Sequence, residues 1–151
     1  MIRAEAARGS AIALLLCCIS ISATAGGDAR DDRQPLLPPC PDTPNCVSSV
    51  HPEKARRVPP LDGGESREQA LQRLEAVLGK MPRVDWERTA DNRIEAEFTS
   101  LLFRFVDDVT LVVDPDGRVD VRSASRTGHW DLGVNRRRVE RLRNELEQID
   151  Q

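Results

Sequence analysis

Apolar residues recur at helical spacing in two stretches of the chain. After Ser66, which has Gln69 three residues later as in a capping box, an apolar stripe predicts a helix that ends at Pro82. A second stripe predicts a C-terminal helix over residues 135–149, with Asn135 on the buried face, Arg138 on its flank and Arg137 facing solvent. The stripes consist of Ala70, Leu71, Leu74, Val77, Leu78 and Met81, and of Val139, Leu142, Leu146 and Ile149.

Between the two helices the pattern changes to the alternation of half-buried strands. Strands are predicted over residues 83–88, 93–100, 105–113 and 118–124. The Asp-Pro-Asp-Gly sequence at 114–117 is interpreted as a hairpin turn, because the other acidic ligands of a calcium loop are missing. The predicted fold class is α+β: a two-layer domain in which a four-stranded antiparallel meander carries an N-terminal and a C-terminal helix on one face, preceded by a disulfide-bearing irregular segment.

The first 39 residues differ from the rest in composition. Residues 1–25 combine basic residues, an apolar run and the sequence Ala-Thr-Ala, which is typical of a cleaved signal peptide. An uncleaved anchor and a lipid attached at Cys17 or Cys18 are weaker alternatives. Residues 26–39 are polar and rich in proline, as in a flexible leader, and residues 40–151 form a single α+β domain. We therefore expect a periplasmic or secreted protein with no transmembrane segment in the mature chain.

Two cysteines remain after the signal peptide. Cys40 and Cys46 lie six residues apart around two prolines, which in an exported chain favours a disulfide. Zinc is a poor alternative because two cysteines do not fill its coordination shell and neither histidine has ligand spacing. A nucleophilic Cys46 would need a reducing compartment. No metal or cofactor is expected.

Composition limits the classes of partner. The formal net charge of −3 disfavours nucleic-acid binding, which requires a basic footprint. Aromatic residues make up 3% of the chain, so base or sugar stacking has few side chains to use.

Polar residues are expected to gather at one end of the meander, because neighbouring antiparallel strands run in opposite directions. Strand parity directs Ser123 and Ser125 toward the helices, and the last helix begins about ten residues later. A helix start flanked by arginines and hydroxyls can bind an anion. The candidate ligand-binding residues are Ser100, Arg104, Asp107, Asp108, Ser123, Ser125, Arg126, Asp131, Asn135 and Arg138.

Three functions are compatible with this polar end. The leading hypothesis is a non-catalytic periplasmic binding or accessory module whose partner is a small anion, a lipid head group, an acidic peptide or an envelope protein. The second is a hydrolase with Asp107 or Asp108 as general base and Arg126 or Arg138 stabilising an oxyanion, although adjacent strand residues point to opposite faces. In the third, the arginines pair with carboxylates and hold the cysteine loop on the sheet. His129 and Trp130 are interpreted as loop packing.

Three blocks of sequence resemble the family called domain of unknown function 1499. They are the cysteine segment at 40–49, the stretch Ser-Leu-Leu-Phe-Arg-Phe-Val-Asp-Asp-Val at 100–109, and residues 122–138 with their four terminal polar residues Asn-Arg-Arg-Arg. The resemblance covers the chain from about Cys40 onward and implies a domain of exported or membrane-associated proteins, with no established activity. His129 with Trp130 departs from the aromatic and small polar pair expected there.

Overall fold

The computed structural model describes residues 37–149, so the predicted signal peptide and most of the predicted leader lie outside the described residues. Two helices and six strands follow one another along the chain. Their order is β1 (Cys46–Ser48), β2 (Leu61–Asp62), α1 (Arg67–Lys80), β3 (Val84–Ala90), β4 (Arg93–Thr99), β5 (Val106–Val113), β6 (Arg118–Ser125) and α2 (Val134–Gln148).

All the strands pair antiparallel in one sheet, which confirms the α+β class and the predicted meander. The order is β1-β6-β5-β4-β3, and β2 also pairs with β6. The predicted strand count of four is wrong, because two short pieces of the segment expected to be irregular add to the edge of β6. Cys46 is opposite Ala124, and Leu61 is opposite Val119. Strands of three and two residues are too short to show alternation, and β6 supplies the partners for their backbone groups.

The helices cover one face of the sheet, as predicted. The Ser66 hydroxyl accepts from the Gln69 amide at the start of α1, and the Gln69 side chain accepts from the Glu65 amide. The stripe residues of both helices are buried against the sheet, except that Ile149 is only partly buried. The sheet side of this core includes Ile94, Val109, Leu111, Val119 and Val121.

Cys40 and Cys46 form the predicted disulfide. Cys46 is fully buried as the first residue of β1, so the bond attaches the preceding segment directly to the sheet. Within residues 37–149, neither helix combines the length and the apolar character needed to cross a membrane.

Candidate functional site

The ten predicted site residues lie at the end of the sheet where β4 and β6 finish and β5 begins, but they occupy three separate places. Six are on the helix-covered side, Asp108 and Arg126 are on the open side, and Ser100 and Arg104 are in the loop between β4 and β5. Asp107 and Asp108 point to opposite faces, as strand parity predicts. That these residues bind a ligand stays a prediction.

On the helix-covered side the polar residues bind one another. We call this set the polar network; it consists of Asn45, Asp107, Ser123, Ser125, Asp131, Asn135 and Arg138. Asn135, the second residue of α2, is completely buried, as predicted. Its side-chain amide donates to the Asn45 carbonyl at 2.9 Å and the Ser125 hydroxyl at 3.0 Å, and its carbonyl accepts from the Ser123 hydroxyl at 2.6 Å.

The charged members of the polar network form a buried ion pair. Arg138 is bound to the Asp107 carboxylate, and the two side chains are 10% and 6% exposed. Arg138 also donates to Ser123 at 3.0 Å and Asn135 at 2.7 Å, and its guanidinium carbon lies 4.9 Å from the centre of the Phe98 ring. The charge of this arginine is therefore neutralised and its hydrogen bonds are used inside the protein.

The start of α2 already holds an anion supplied by the chain itself. The Asp131 carboxylate accepts from the backbone amides of Gly133 at 2.9 Å and Asn135 at 2.8 Å. Burial acts to raise the pKa of Asp131, but the hydrogen bonds from Asn135 and Gly133 outweigh it and hold the pKa below the ordinary value of 3.8. A carboxylate at a helix start stabilises the helix by capping it and by opposing its dipole.

We expect Asp131→Ala to lower the free energy of unfolding by about 1 kcal/mol at neutral pH, the usual cost of a lost cap. A carboxylate whose folded pKa is depressed stabilises the fold above its unfolded pKa, and that stabilisation is lost as the pH falls through the folded pKa. The difference in free energy of unfolding between wild type and variant should therefore become smaller below about pH 4. Urea unfolding at neutral and acidic pH measures this difference. A difference that does not change with pH would contradict the capping role of Asp131.

On the open side, Arg126 bridges two acidic residues of neighbouring strands. Its guanidinium binds Glu97 and lies 2.7 Å from Asp108. The hydrogen bonds to Asp108 and then Glu97 raise the pKa of Arg126 above its ordinary value. A shallow cavity of about 420 Å³ adjoins this pair and is lined mainly by acidic residues, so it disfavours an anion. Its acidic residues are Asp85, Glu87, Glu95, Glu97 and Asp108.

The loop between β4 and β5 places apolar side chains in solvent. Ser100 closes this loop, because its hydroxyl accepts from the Phe105 amide at 2.9 Å. In residues 37–149 eight large apolar side chains are exposed, and seven of them lie in this loop, in the connection from β6 to α2 or at the first residue of α2. We call these seven the apolar tip: Leu101, Leu102, Phe103, Phe105, Trp130, Leu132 and Val134.

The interpretation of Trp130 as loop packing is wrong, since 70% of its surface is exposed. Its loop is held at its base by the Asn45 side chain, which donates to the Gly128 carbonyl at 2.6 Å. The ring is therefore held out in solvent by a loop whose base is fixed.

Backbone strain is concentrated at the same end. Three non-glycine residues of the described chain have positive φ: Arg83 at 60°, Arg104 at 52° and Leu132 at 53°. Arg83 belongs to this end because its carbonyl accepts from the Thr99 amide, next to the β4–β5 loop. A left-handed conformation costs a side-chain-bearing residue roughly 1–2 kcal/mol and is commonly retained at sites of function.

The sequence interpretation missed Asn45, Glu97, Phe98 and the whole apolar tip. The tip had a signal: Leu-Leu-Phe at 101–103 falls in a connection between strands, where consecutive apolar residues have no core face to join. The described residues contain no cluster of three or more His, Cys, Asp or Glu side chains able to hold a metal ion.

The fold and this end of the sheet define a small two-layer α+β domain with a buried polar network beneath an apolar tip. Residues 36–146 match the family model described as "Protein of unknown function (DUF1499)", and the chain belongs to that family, as the three sequence blocks indicated. No curated protein matches the chain.

Proposed function

We propose that this chain is an exported, non-catalytic binding module that docks onto its partner through the apolar tip. The observation that carries the proposal is that seven of the eight exposed large apolar side chains in residues 37–149 lie at one end of the sheet, six on two loops and one at the first residue of α2. Exposed apolar side chains gathered in this way mark interaction surfaces, whereas scattered ones carry no meaning. Export is supported by the signal-peptide pattern of residues 1–25 and by the disulfide, which persists in oxidising compartments.

The polar network supports binding by fixing one of the two loops of the tip, the β6–α2 connection. Asn45 and Asn135 tie the β6–α2 connection to β1 and β6, and Asp131 fixes the start of α2. A loop held in place before binding loses less conformational entropy when its partner is bound. The polar network thus holds the β6–α2 connection of the apolar tip in position.

A hydrolase is less well supported by the geometry. The carboxylate of Asp107 is buried against Arg138, and that of Asp108 is paired with Arg126 on the other face. A general base needs access to a substrate proton, and a pair of carboxylates needs to share a site. Asp107 lacks that access; Asp108 is partly exposed but bound to Arg126, and the two carboxylates lie on opposite faces of β5 and share no site.

Site-specific photocross-linking in the producing cell tests the docking proposal. A benzophenone-bearing phenylalanine analogue replaces Phe103 in one version of the full chain and Val50 in another. Val50 is the matched control, because it is the one large exposed apolar residue of the described chain outside the tip. We expect adducts from position 103 and none from position 50, because only the tip is covered by a partner. Equal yields of cross-linked adducts from both positions, or no adducts from position 103, would contradict the proposal.

A further inference from the structure

The apolar tip has the composition of a surface that enters a lipid bilayer. It contains three of the five aromatic residues of the chain, together with three leucines. Trp, Phe and Leu are the residues with which interfacial segments bury themselves at the boundary between head groups and acyl chains. Leu102 is 82% exposed and Phe103 is 73% exposed, and the stacked rings of Phe103 and Phe105 lie 5.5 Å apart.

The shape of the tip also favours a fluid partner. The apolar side chains come from two separate loops beyond the ends of β4 and β6, where the strand pairing stops, and from the start of α2 that follows the second loop. A folded protein would need matching pockets for both loops, with the shape complementarity of a packed interface. A lipid bilayer can accommodate each side chain separately, because its molecules rearrange around it.

Cationic side chains surround the apolar tip. Arg104 lies between Phe103 and Phe105, Arg83 adjoins the same loop, and Arg137 donates to the Leu132 carbonyl at 2.9 Å; all three arginines are exposed. The acid within the tip loops, Asp131, is engaged in capping α2. The two loops therefore present a local positive charge, although the whole chain carries −3.

Acidic residues lie on the open face of the sheet and not within the apolar tip. Asp85 and Glu97 are opposite each other near the tip end of β3 and β4, where Glu97 is bound to Arg126, and Glu87 lies farther along β3. An anionic surface repels this open face and attracts the arginines of the loops, and both effects decay within about 10 Å in physiological salt. The end of the domain that carries the tip is thus a better match for an anionic surface than the open face of the sheet.

We propose that the apolar tip inserts into the head-group region of an anionic lipid bilayer, with Arg83, Arg104 and Arg137 binding lipid phosphates. This inference rests on the proposed docking function and names its partner. Guanidinium groups bind phosphates through paired hydrogen bonds, and long arginine stems allow the charge to stay at head-group depth while the neighbouring rings enter the acyl region.

The test uses the fluorescence of Trp130 in the full chain. The protein has two tryptophans, so Trp86→Phe leaves Trp130 as the single reporter, and its emission reports on the surroundings of the tip itself. The probes are phosphatidylcholine vesicles with and without phosphatidylglycerol, both also prepared with brominated acyl chains. Soluble glycerol phosphate distinguishes a bilayer from a free phosphate compound.

We expect the phosphatidylglycerol vesicles to shift the Trp130 emission to the blue and the brominated lipids to quench it, with no response to glycerol phosphate. Leu102→Ser with Phe103→Ser should weaken binding at least tenfold, since two anchors are lost. Arg104→Gln should weaken it about fivefold. The controls Val50→Ser and Arg141→Gln, an exposed arginine in the middle of α2, should bind as the parent does.

Three results would overturn the lipid assignment. They are an emission that phosphatidylglycerol vesicles leave unchanged, an equal shift after Leu102→Ser with Phe103→Ser, and a shift produced by glycerol phosphate alone. If vesicles have no effect but position 103 cross-links to a protein or to a second copy of the chain, docking through the tip stands and its partner is not lipid. If vesicles leave the Trp130 emission unchanged and position 103 gives no adducts, the docking function is overturned as well.

Discussion

Arg138→Ala is expected to lower the free energy of unfolding by about 3–5 kcal/mol, the cost of leaving one half of a buried ion pair without its partner. The variant leaves the Asp107 carboxylate, which is 6% exposed, without a cation, and the hydrogen bonds that Arg138 donates to Ser123 and Asn135 are lost. It also removes the guanidinium that packs on the Phe98 ring. For a domain of this size the melting temperature should fall by about 10 °C or more.

Arg126→Ala is the matched control, because it removes an arginine bound to the neighbouring aspartate on the other face of β5. The Arg126 side chain is 45% exposed, and solvent screens such pairs, so little change in stability is expected. Thermal and urea unfolding of both variants make the comparison. Equal losses of stability would mean that the ion pairs on the two faces of β5 do not differ as described. An Arg138→Ala variant as stable as the wild type would refute the buried ion pair.

Gly117→Ala is expected to cost about 3 kcal/mol, through backbone strain and a clash that no side chain can relieve. Gly117 has φ of 83° in the turn from β5 to β6. A Cβ atom built there would lie 2.1 Å from the carbonyl oxygen of Gly64 and 2.7 Å from its carbonyl carbon. The clashing atoms belong to the backbone just before α1, so β2, the turn and the helix start would have to separate.

Gly79→Ala supplies the control for that experiment. Gly79 lies in the last turn of α1, and a Cβ atom there would meet nothing within 4 Å. Alanine has the higher helix propensity, so this variant should be more stable by up to about 1 kcal/mol. Urea midpoints of the two variants should move in opposite directions. A Gly117→Ala midpoint at the wild-type value would show that the two backbones do not approach so closely.

The sequence predicted those parts of the fold that have a period. The stripes of α1 and α2 and the alternation of β3 to β6 each recur often enough to identify the element and its buried face. Helical periodicity placed Asn135 on the buried face of α2, and strand parity placed Ser123 and Ser125 on the helix-covered side and separated Asp107 from Asp108. β1 and β2 were missed because their two or three residues repeat nothing, and their pairing with β6 comes from distant parts of the chain.

The candidate site was harder to predict because its partners are distant in sequence. Nothing local links Asn45 to Gly128, or Arg126 to Glu97, although the Asn45 side chain donates to the Gly128 backbone carbonyl and Arg126 is bound to Glu97. Residue types at the polar end indicated an anion site, but the carboxylates that satisfy these cations come from the chain itself. Exposure is a property of the folded state, and for that reason the sequence identified Leu-Leu-Phe at 101–103 as part of a family block but did not predict that these side chains are exposed.

The bond between Asn45 and Asn135 also determines when the tip can take its final shape. Ninety residues separate the two partners, and the contact requires that the chain between them bring β1 beside β6. Closing so long a loop carries a large cost in conformational entropy, which local contacts do not have. A chain still emerging from the ribosome lacks one half of this contact until the start of α2 has been synthesised. The β6–α2 connection of the apolar tip can therefore be fixed to β1 only when nearly the whole domain is present.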